Sequence, residues 1–315
     1  MKYLILLIIM SFGCVVVAQQ QIKFEQFFIN DVIYNPAISG SKSFNPLVIQ
    51  SRQQWVGFDD APFSTSISYH KSMYDNTALG MNINIEKSYP STQANLNLNY
   101  AYHIPLNSNN TFISFGVGPK VMFYSLNFSN DDLPTLNDPA FNENTYTKLL
   151  VDISTGIYLY SERFSLGFSS LNILQSSFKG EIFTNSLNQG FSTSFGDNRE
   201  VRHYYINGSY KFNVINNDWE FEPSILISKA ETQITTFRIA PRIIFLEDHW
   251  AFLSICNNGT AACGVGFKAN NLHFGYSYGQ QFNGEITNYN FGSHELTLTF
   301  KLFSYNQNQK NSFWY

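Results

Sequence analysis

Charge is scarce in this 315-residue chain. Only 13% of it is Asp, Glu, Lys or Arg, with 19 basic and 23 acidic side chains and a formal charge of −4. That is about half the usual globular share and lacks the basic stripe that nucleic acid requires. Cysteine is nearly absent, with 3 residues, too few for a disulfide scaffold or a four-cysteine zinc site. Long apolar runs are missing beyond the extreme N-terminus, and a helical membrane span needs about 20 such residues in a row. Disorder is excluded from the other side: 30 Phe, 19 Tyr and 4 Trp make 17% of the chain aromatic. The mean hydropathy of −0.16 is not decisive. In a transmembrane β-barrel polar and apolar residues alternate, so the average cancels while each strand keeps one oily face.

Chemistry-bearing motifs are missing as well. The six histidines, His70, His103, His203, His249, His273 and His294, lack metal-ligand spacing, and no nucleophile elbow, phosphate loop or dinucleotide fingerprint occurs. Gly116-Val117-Gly118 lies inside a strand pattern, which suits close packing or a bend. No enzyme, metal or cofactor is expected.

Residues 1–18 read as a signal peptide: Lys2, an apolar run from Tyr3 to Met10 continued by Phe12 and Val15 to Val17, then Val16 and Ala18 before Gln19. The alternatives are an N-terminal anchor, for which the run is short, and a lipidated Cys14, whose preceding Ser11-Phe12-Gly13 fits a lipobox poorly. Without Lys2 the chain has 18 basic and 23 acidic residues, a charge of −5. Strand parity puts Cys256 facing inward and Cys263 outward, so the two are expected to be packing residues rather than a bridge.

Period two runs through nearly the whole remainder. Ala94, Leu96, Leu98, Tyr100 and Tyr102 alternate with Gln93, Asn95, Asn97 and Asn99, as a strand between oil and water requires. Leu79 to Ile85, Ile113 to Phe123, Val151 to Leu159, Phe221 to Ile227 and Leu296 to Leu302 repeat the pattern with charges on the polar face. Fourteen strands are expected, starting near 46, 62, 77, 92, 111, 148, 164, 201, 219, 234, 250, 261, 272 and 292. Connections after even strands are short, and the longest loops, about 125–147 and 172–200, follow odd strands. This predicts an all-β fold: a transmembrane antiparallel outer-membrane β-barrel of about 14 strands, with a periplasmic N-terminus and long extracellular loops. Residues 46–303 form the barrel, 304–315 a C-terminal tail, and 19–45 a non-barrel segment. Phe24, Phe27, Phe28, Ile33 and Tyr34 make that segment too apolar for a free tail, so it is expected in the lumen or across the periplasmic mouth. Tyr100 with Tyr102, Phe123 with Tyr124, Tyr158 with Tyr160, and Trp250 with Phe252 are expected to form aromatic girdles. Inward charges of both signs, among them Glu86, Asp152, Glu220 and Glu222 against Lys120, Arg238, Arg242 and Lys301, predict a polar lumen held by ion pairs.

Certain stretches carry a resemblance. Asn35-Pro36-Ala37 with Gly40, Arg52-Gln53-Gln54-Trp55 with Ala61-Pro62, Asn137-Asp138-Pro139, the Gly275-Tyr276-Ser277-Tyr278 strand and Gly292-Ser293-His294-Glu295 resemble, in order, motifs of the PorP/SprF family of Bacteroidetes outer-membrane proteins. Gly279 departs from the pattern, where Asp is expected. The resemblance implies a role in type IX secretion and gliding motility: assisting export of a partner secreted adhesin, or anchoring its C-terminal domain, through the extracellular loops. Attachment to the periplasmic secretion ring, and a porin-like transporter of small or hydrophobic solutes, are the alternatives. Partners implied are a large secreted surface protein, type IX secretion components and membrane lipid. The motif residues are expected to be structural or partner contacts, with Arg52 and Trp55 holding Asp59 or Asp60, and His294 and Glu295 seating the last strand on the first.

Overall fold

A computed structural model describes residues 23–73, 76–107, 110–127, 145–178, 198–215, 219–231, 233–246, 249–283 and 290–302. The expected signal peptide, the C-terminal tail and the Asn137-Asp138-Pro139 stretch lie outside the described residues.

The alternating segments form fourteen barrel strands among the described residues: β1 (Asn45–Gln53), β2 (Phe63–Ser72), β3 (Thr77–Ser88), β4 (Ser91–Asn107), β5 (Thr111–Asn127), β6 (Thr145–Tyr160), β7 (Phe164–Leu171), β8 (His203–Tyr210, continuing as Phe212–Ile215), β9 (Trp219–Ala230), β10 (Thr236–Phe245), β11 (His249–Cys256), β12 (Thr260–Ala269), β13 (Leu272–Gln281) and β14 (Ser293–Leu302). Each starts within three residues of its expected position. Every neighbour pairs antiparallel, and β1 pairs with β14 from Asn45↔Leu302 to Gln53↔His294, so the sheet closes and has no edge.

Parity decides what faces where. Leu79, Met81, Leu96, Leu98, Val117, Val151, Phe168, Ile239 and Leu296 point outward and are exposed, forming an apolar band. Asn82, Asn99, Ser114, Lys120, Asp152 and Ser154 point inward and are buried. Connections after even strands are all short, including 161–163 and 270–271, and define a short-turn end. The opposite end carries 54–62, 128–144, 172–202 and 282–292, but also the tight turns 89–90 and 257–259, so long loops do not follow every odd strand. The two cysteines are free, Cys256 buried and Cys263 exposed.

Half of the expected girdle is corrected. Tyr100, Tyr102 and Phe123 are exposed on the outer face, whereas Tyr158, Tyr160, Trp250 and Phe252 are buried. They sit on the inward parity of their strands and pack on the N-terminal segment, because a lumen of this width needs bulk from both wall and plug.

That segment, residues 23–44, fills the lumen. Phe27 and Tyr34 pack with Leu171, Tyr205, Leu226, Trp250 and Phe252, while Val32, Ala37 and Ile38 pack with Phe112, Tyr158 and Tyr160. Burying one Phe side chain contributes about 2 kcal/mol, so the plug's apolar face holds it strongly. The segment starts at the long-loop end, where the Arg52 guanidinium donates to the Lys23 carbonyl, and descends to Phe44 beside the start of β1. The short-turn end is thus where β1 begins, while the described chain begins at the opposite mouth. Two 3₁₀ turns, Asp31–Ile33 and Pro36–Ile38, lie along it.

Inward glycines admit it. A Cβ on Gly116 would collide with the Pro36–Ala37 backbone, and one on Gly156 with the Asn35 side chain. A Cβ on Gly279 meets nothing closer than Ala262 at 3.4 Å. Gly116→Val is therefore expected to destabilise the barrel by about 1–3 kcal/mol and to expose residues 23–44 to protease, as overpacking does, while Gly279→Ala leaves both unchanged. Heat-modifiable gel migration and limited proteolysis of the purified barrel check both.

Candidate functional site: the luminal plug and its two mouths

At the long-loop end, four buried charges hold the plug to the seam. Position 295 shares the inward face of β14 with Ser293 and Thr297, which brings its carboxylate into the lumen. Glu295 accepts the backbone N–H of Glu25 at 2.7 Å and of Gln26 at 2.9 Å, and the Gln50 amide at 2.8 Å across the β1–β14 seam. Glu25 in turn lies 3.1 Å from Arg52, accepts from Arg238, and takes a longer bond from Ser254 at 3.4 Å. Two carboxylates thus face two guanidiniums, and buried charge is tolerable only when compensated in this way. Burial, and then the Arg238 guanidinium, hold the neighbouring Lys23 ammonium below its usual range. Gly279, the position where Asp was expected, lies with its Cβ site 3.7 Å from Glu25 Cγ, so in this chain a plug carboxylate fills the space beside it.

The Asn-Pro-Ala stretch seats the middle of the plug. The Asn35 side chain accepts from Ala37 N at 2.9 Å, capping the turn that Pro36 begins, and donates to the Ile157 carbonyl at 3.0 Å. Ser114 donates to the Ala37 carbonyl at 2.7 Å, and Ser169 to the Tyr34 carbonyl. Gly40 adopts φ +79°, a conformation that favours glycine, and donates to His70 Nδ1 at 2.9 Å. His103 bridges the Ser39 carbonyl at 2.9 Å and the Tyr160 hydroxyl at 2.8 Å. His70 and His103 thus serve the plug, a role that the sequence reading missed. Their parity on the inward faces of β2 and β4 was the available signal.

The remaining motifs build the rim above the seam. Gln54 N donates to the Pro62 carbonyl at 2.9 Å and Gln53 Nε2 to the Ala61 carbonyl at 3.2 Å, closing the loop after β1. Val56 N donates to the Gly292 carbonyl at 2.9 Å, and Phe291 N to the Val56 carbonyl at 2.7 Å, which extends the β1–β14 contact beyond the strands. Trp55 and Gly292 take positive φ values, +44° and +82°. The expected hold of Arg52 on Asp59 or Asp60 is corrected: Arg52 shares a face with Val48 and Gln50, points inward and binds Glu25. Glu295 does join the last strand to the first through Gln50, whereas His294 turns to the other face and meets the Tyr276 hydroxyl at 2.8 Å.

Two voids flank the plug. On the long-loop side of the plug a void of about 60 Å³ is lined by the stacked amides of Asn82, Asn84, Asn95, Asn97 and Asn99, with Lys120 paired to Glu200 at 3.2 Å beside it. At the short-turn mouth a cavity of about 460 Å³ remains. Among the described residues no cluster of His, Cys, Asp or Glu is placed to hold a metal ion.

Glu25→Gln is expected to cost about 3–5 kcal/mol by leaving two buried guanidiniums, Arg52 and Arg238, with Glu295 as the single carboxylate of the cluster. Glu295→Ala, which strands two backbone N–H groups, is expected to loosen the plug at its upper end first. Hydrogen exchange should then rise at residues 25–30 before the strands unfold.

Comparison with known proteins follows the same lines. The family model described as "Type IX secretion system membrane protein PorP/SprF" matches residues 16–300. No curated protein matches the chain. Among solved structures, a mutant of the TodX monoaromatic hydrocarbon channel shares 9% identity over 86% of this chain and 94% of its own, with a TM-score of 0.45. The Pseudomonas putida toluene transporter TodX shares 8% over 85% and 91%, with a TM-score of 0.43. Omp33 of Acinetobacter baumannii shares 7% over 83% and 100%, with a TM-score of 0.44. Likeness at this level carries no argument about function. The family match spans nearly the whole described barrel, and the chain belongs to the PorP/SprF family of type IX secretion system membrane proteins, as an outer-membrane β-barrel.

Proposed function

We propose that this barrel assists the export or surface anchoring of a partner secreted adhesin, whose C-terminal domain is held by the loops of the long-loop end. In this reading residues 1–18 direct export, the short-turn end faces the periplasm, the long loops face outward, and lipid covers the apolar band. The setting is the type IX secretion and gliding apparatus of a Bacteroidetes cell, and the role is not catalytic.

One observation carries this reading over a solute channel: the plug runs through the lumen from Lys23 to Phe44 and packs against the wall through two hydrophobic clusters. A pore would need a continuous polar path, and here Phe27, Val32, Tyr34 and Ile38 stand in it. A plugged barrel is instead a rigid mount for loops, and exposed loops on rigid scaffolds commonly bind partners.

A tagged barrel drawn from gently solubilised outer membrane is expected to bring down one large surface protein in stoichiometric amount. Shortening loop 128–144 or loop 172–202 is expected to lose it while leaving heat-modifiable migration intact. Co-purification of periplasmic ring components instead would place the barrel with the secretion core. In planar bilayers the intact chain is expected to conduct poorly, and deletion of 23–44 to open it; steady conductance of the intact chain would favour a transporter.

A further inference from the structure

The cavity at the short-turn mouth has the makings of a ligand site that nothing in the plugging or partner-holding roles uses. Its volume of about 460 Å³ falls in the ordinary range for small-ligand pockets. It opens between the plug and the wall, and turn residues Asn110 and Ser161 to Arg163 form part of its lining, so it lies at the mouth and not in the sealed interior. One side is aromatic: Phe112 stacks on Tyr160 at 5.4 Å between centroids, Tyr160 on Tyr158 at 5.2 Å, with Phe28 and Phe164 also lining it.

The other side offers polar groups without partners, three of them able to donate and one, the Asn207 amide oxygen, an acceptor. Arg242 binds Glu222 at 2.6 Å through Nη2 and lies over the Phe28 ring at 4.5 Å, but its Nε has no partner among the described residues. The hydroxyls of Ser224 and Ser41 and the amide oxygen of Asn207 are likewise buried without partners, and all of these residues line the cavity. Buried polar groups without partners are costly, and several of them among the residues that line one cavity mark a place where a polar ligand group is accepted. The lining charges lean the same way. Asp31 is paired with Lys42 at 3.1 Å and Glu222 with Arg242, which leaves Arg163 and Lys211 against Glu162, an excess of one positive charge.

We propose that this cavity binds an aromatic carboxylate, with the ring against the Tyr158–Tyr160–Phe112 shelf and the carboxylate taken by Ser224, the Arg242 Nε and the rim cations Arg163 and Lys211. Two sources present this chemistry on the short-turn side: the C-terminal aromatic residue of a protein, and a free aryl acid.

The test is calorimetry on the intact chain in nanodiscs. The probes are acetyl-Ala-Ala-Phe as free acid, its amide, acetyl-Ala-Ala-Ala as free acid, and 3-phenylpropionate. The Phe acid is expected to bind, and its amide to bind about tenfold more weakly, the loss expected when a charge-assisted hydrogen bond goes. The Ala acid is expected to bind weakly or not at all. Ser224→Ala and Arg163→Ala, both mild changes, should weaken the Phe acid without altering heat-modifiable migration. If 3-phenylpropionate binds as tightly as the peptide, the ligand is a free aryl acid; if the peptide alone binds, it is a protein C-terminus. Equal binding of acid and amide, equal binding of the Ala acid, or no binding of any aromatic acid in the millimolar range overturns the assignment. Loss of the adhesin partner in a pull-down would not bear on it, because that partner sits at the other mouth.

Discussion

The Glu295 carboxylate, accepting two backbone N–H groups from the plug and an amide from β1, is the contact on which the interior depends. A polypeptide laid inside a barrel gives up water, and each of its N–H and C=O groups must find a partner, in its own turns or on the wall. Residues 23–44 form no regular ladder with the strands, so the wall supplies partners one at a time: Glu295 above, Ser169 and Ile157 in the middle, Ser114, His103 and His70 below. Apart from the Ile157 backbone carbonyl, those partners are side chains at inward positions. This explains why so many of the buried wall residues are Ser, Asn, His and charged residues in a membrane protein.

The same requirement accounts for the motifs. Asn35, Pro36, Ala37 and Gly40 form the turn that presents carbonyls to Ser114 and His103, and Gly116 and Gly156 are the hollows into which it presses. Arg52 and Glu295 face each other in the β1–β14 register, and both turn to the plug instead of to each other's loops. Asn35, Arg52 and Glu295 thus make contacts between plug and wall, and in the proposed function the partner surface falls to the long loops.

Barrel architecture was legible because period two is written residue by residue: Leu96 and Asn97, or Leu296 and Thr297, announce opposite faces wherever the strand sits in space. Strand number and starts followed from turn spacing. Tyr158, Tyr160, Trp250 and Phe252 were misplaced because aromatics at strand ends fit a girdle by type, while their parity, alternating against Ile157 and Ala251, put them inside. The course of residues 23–44 was not legible, since an apolar segment without alternation says that it is buried and not on what. Nor could Arg52 be assigned to Glu25 from sequence. Partners 27 residues apart in the chain meet only because the plug descends antiparallel to β1.

That descent has a mechanical consequence. Thirteen of the neighbouring strand pairs are joined by a connecting segment of chain, whereas β1 and β14 are joined by hydrogen bonds alone. Under a pull on the long loops this joint is where a barrel would tear first. Here Gln50 on one lip donates to Glu295 on the other, and one stretch of plug holds both lips, Glu295 through the Glu25 and Gln26 N–H groups and Arg52 through the Glu25 carboxylate. The plug works as a rivet across the joint, so resistance to shear at the rim is set by an internal clasp and not by the ladder alone.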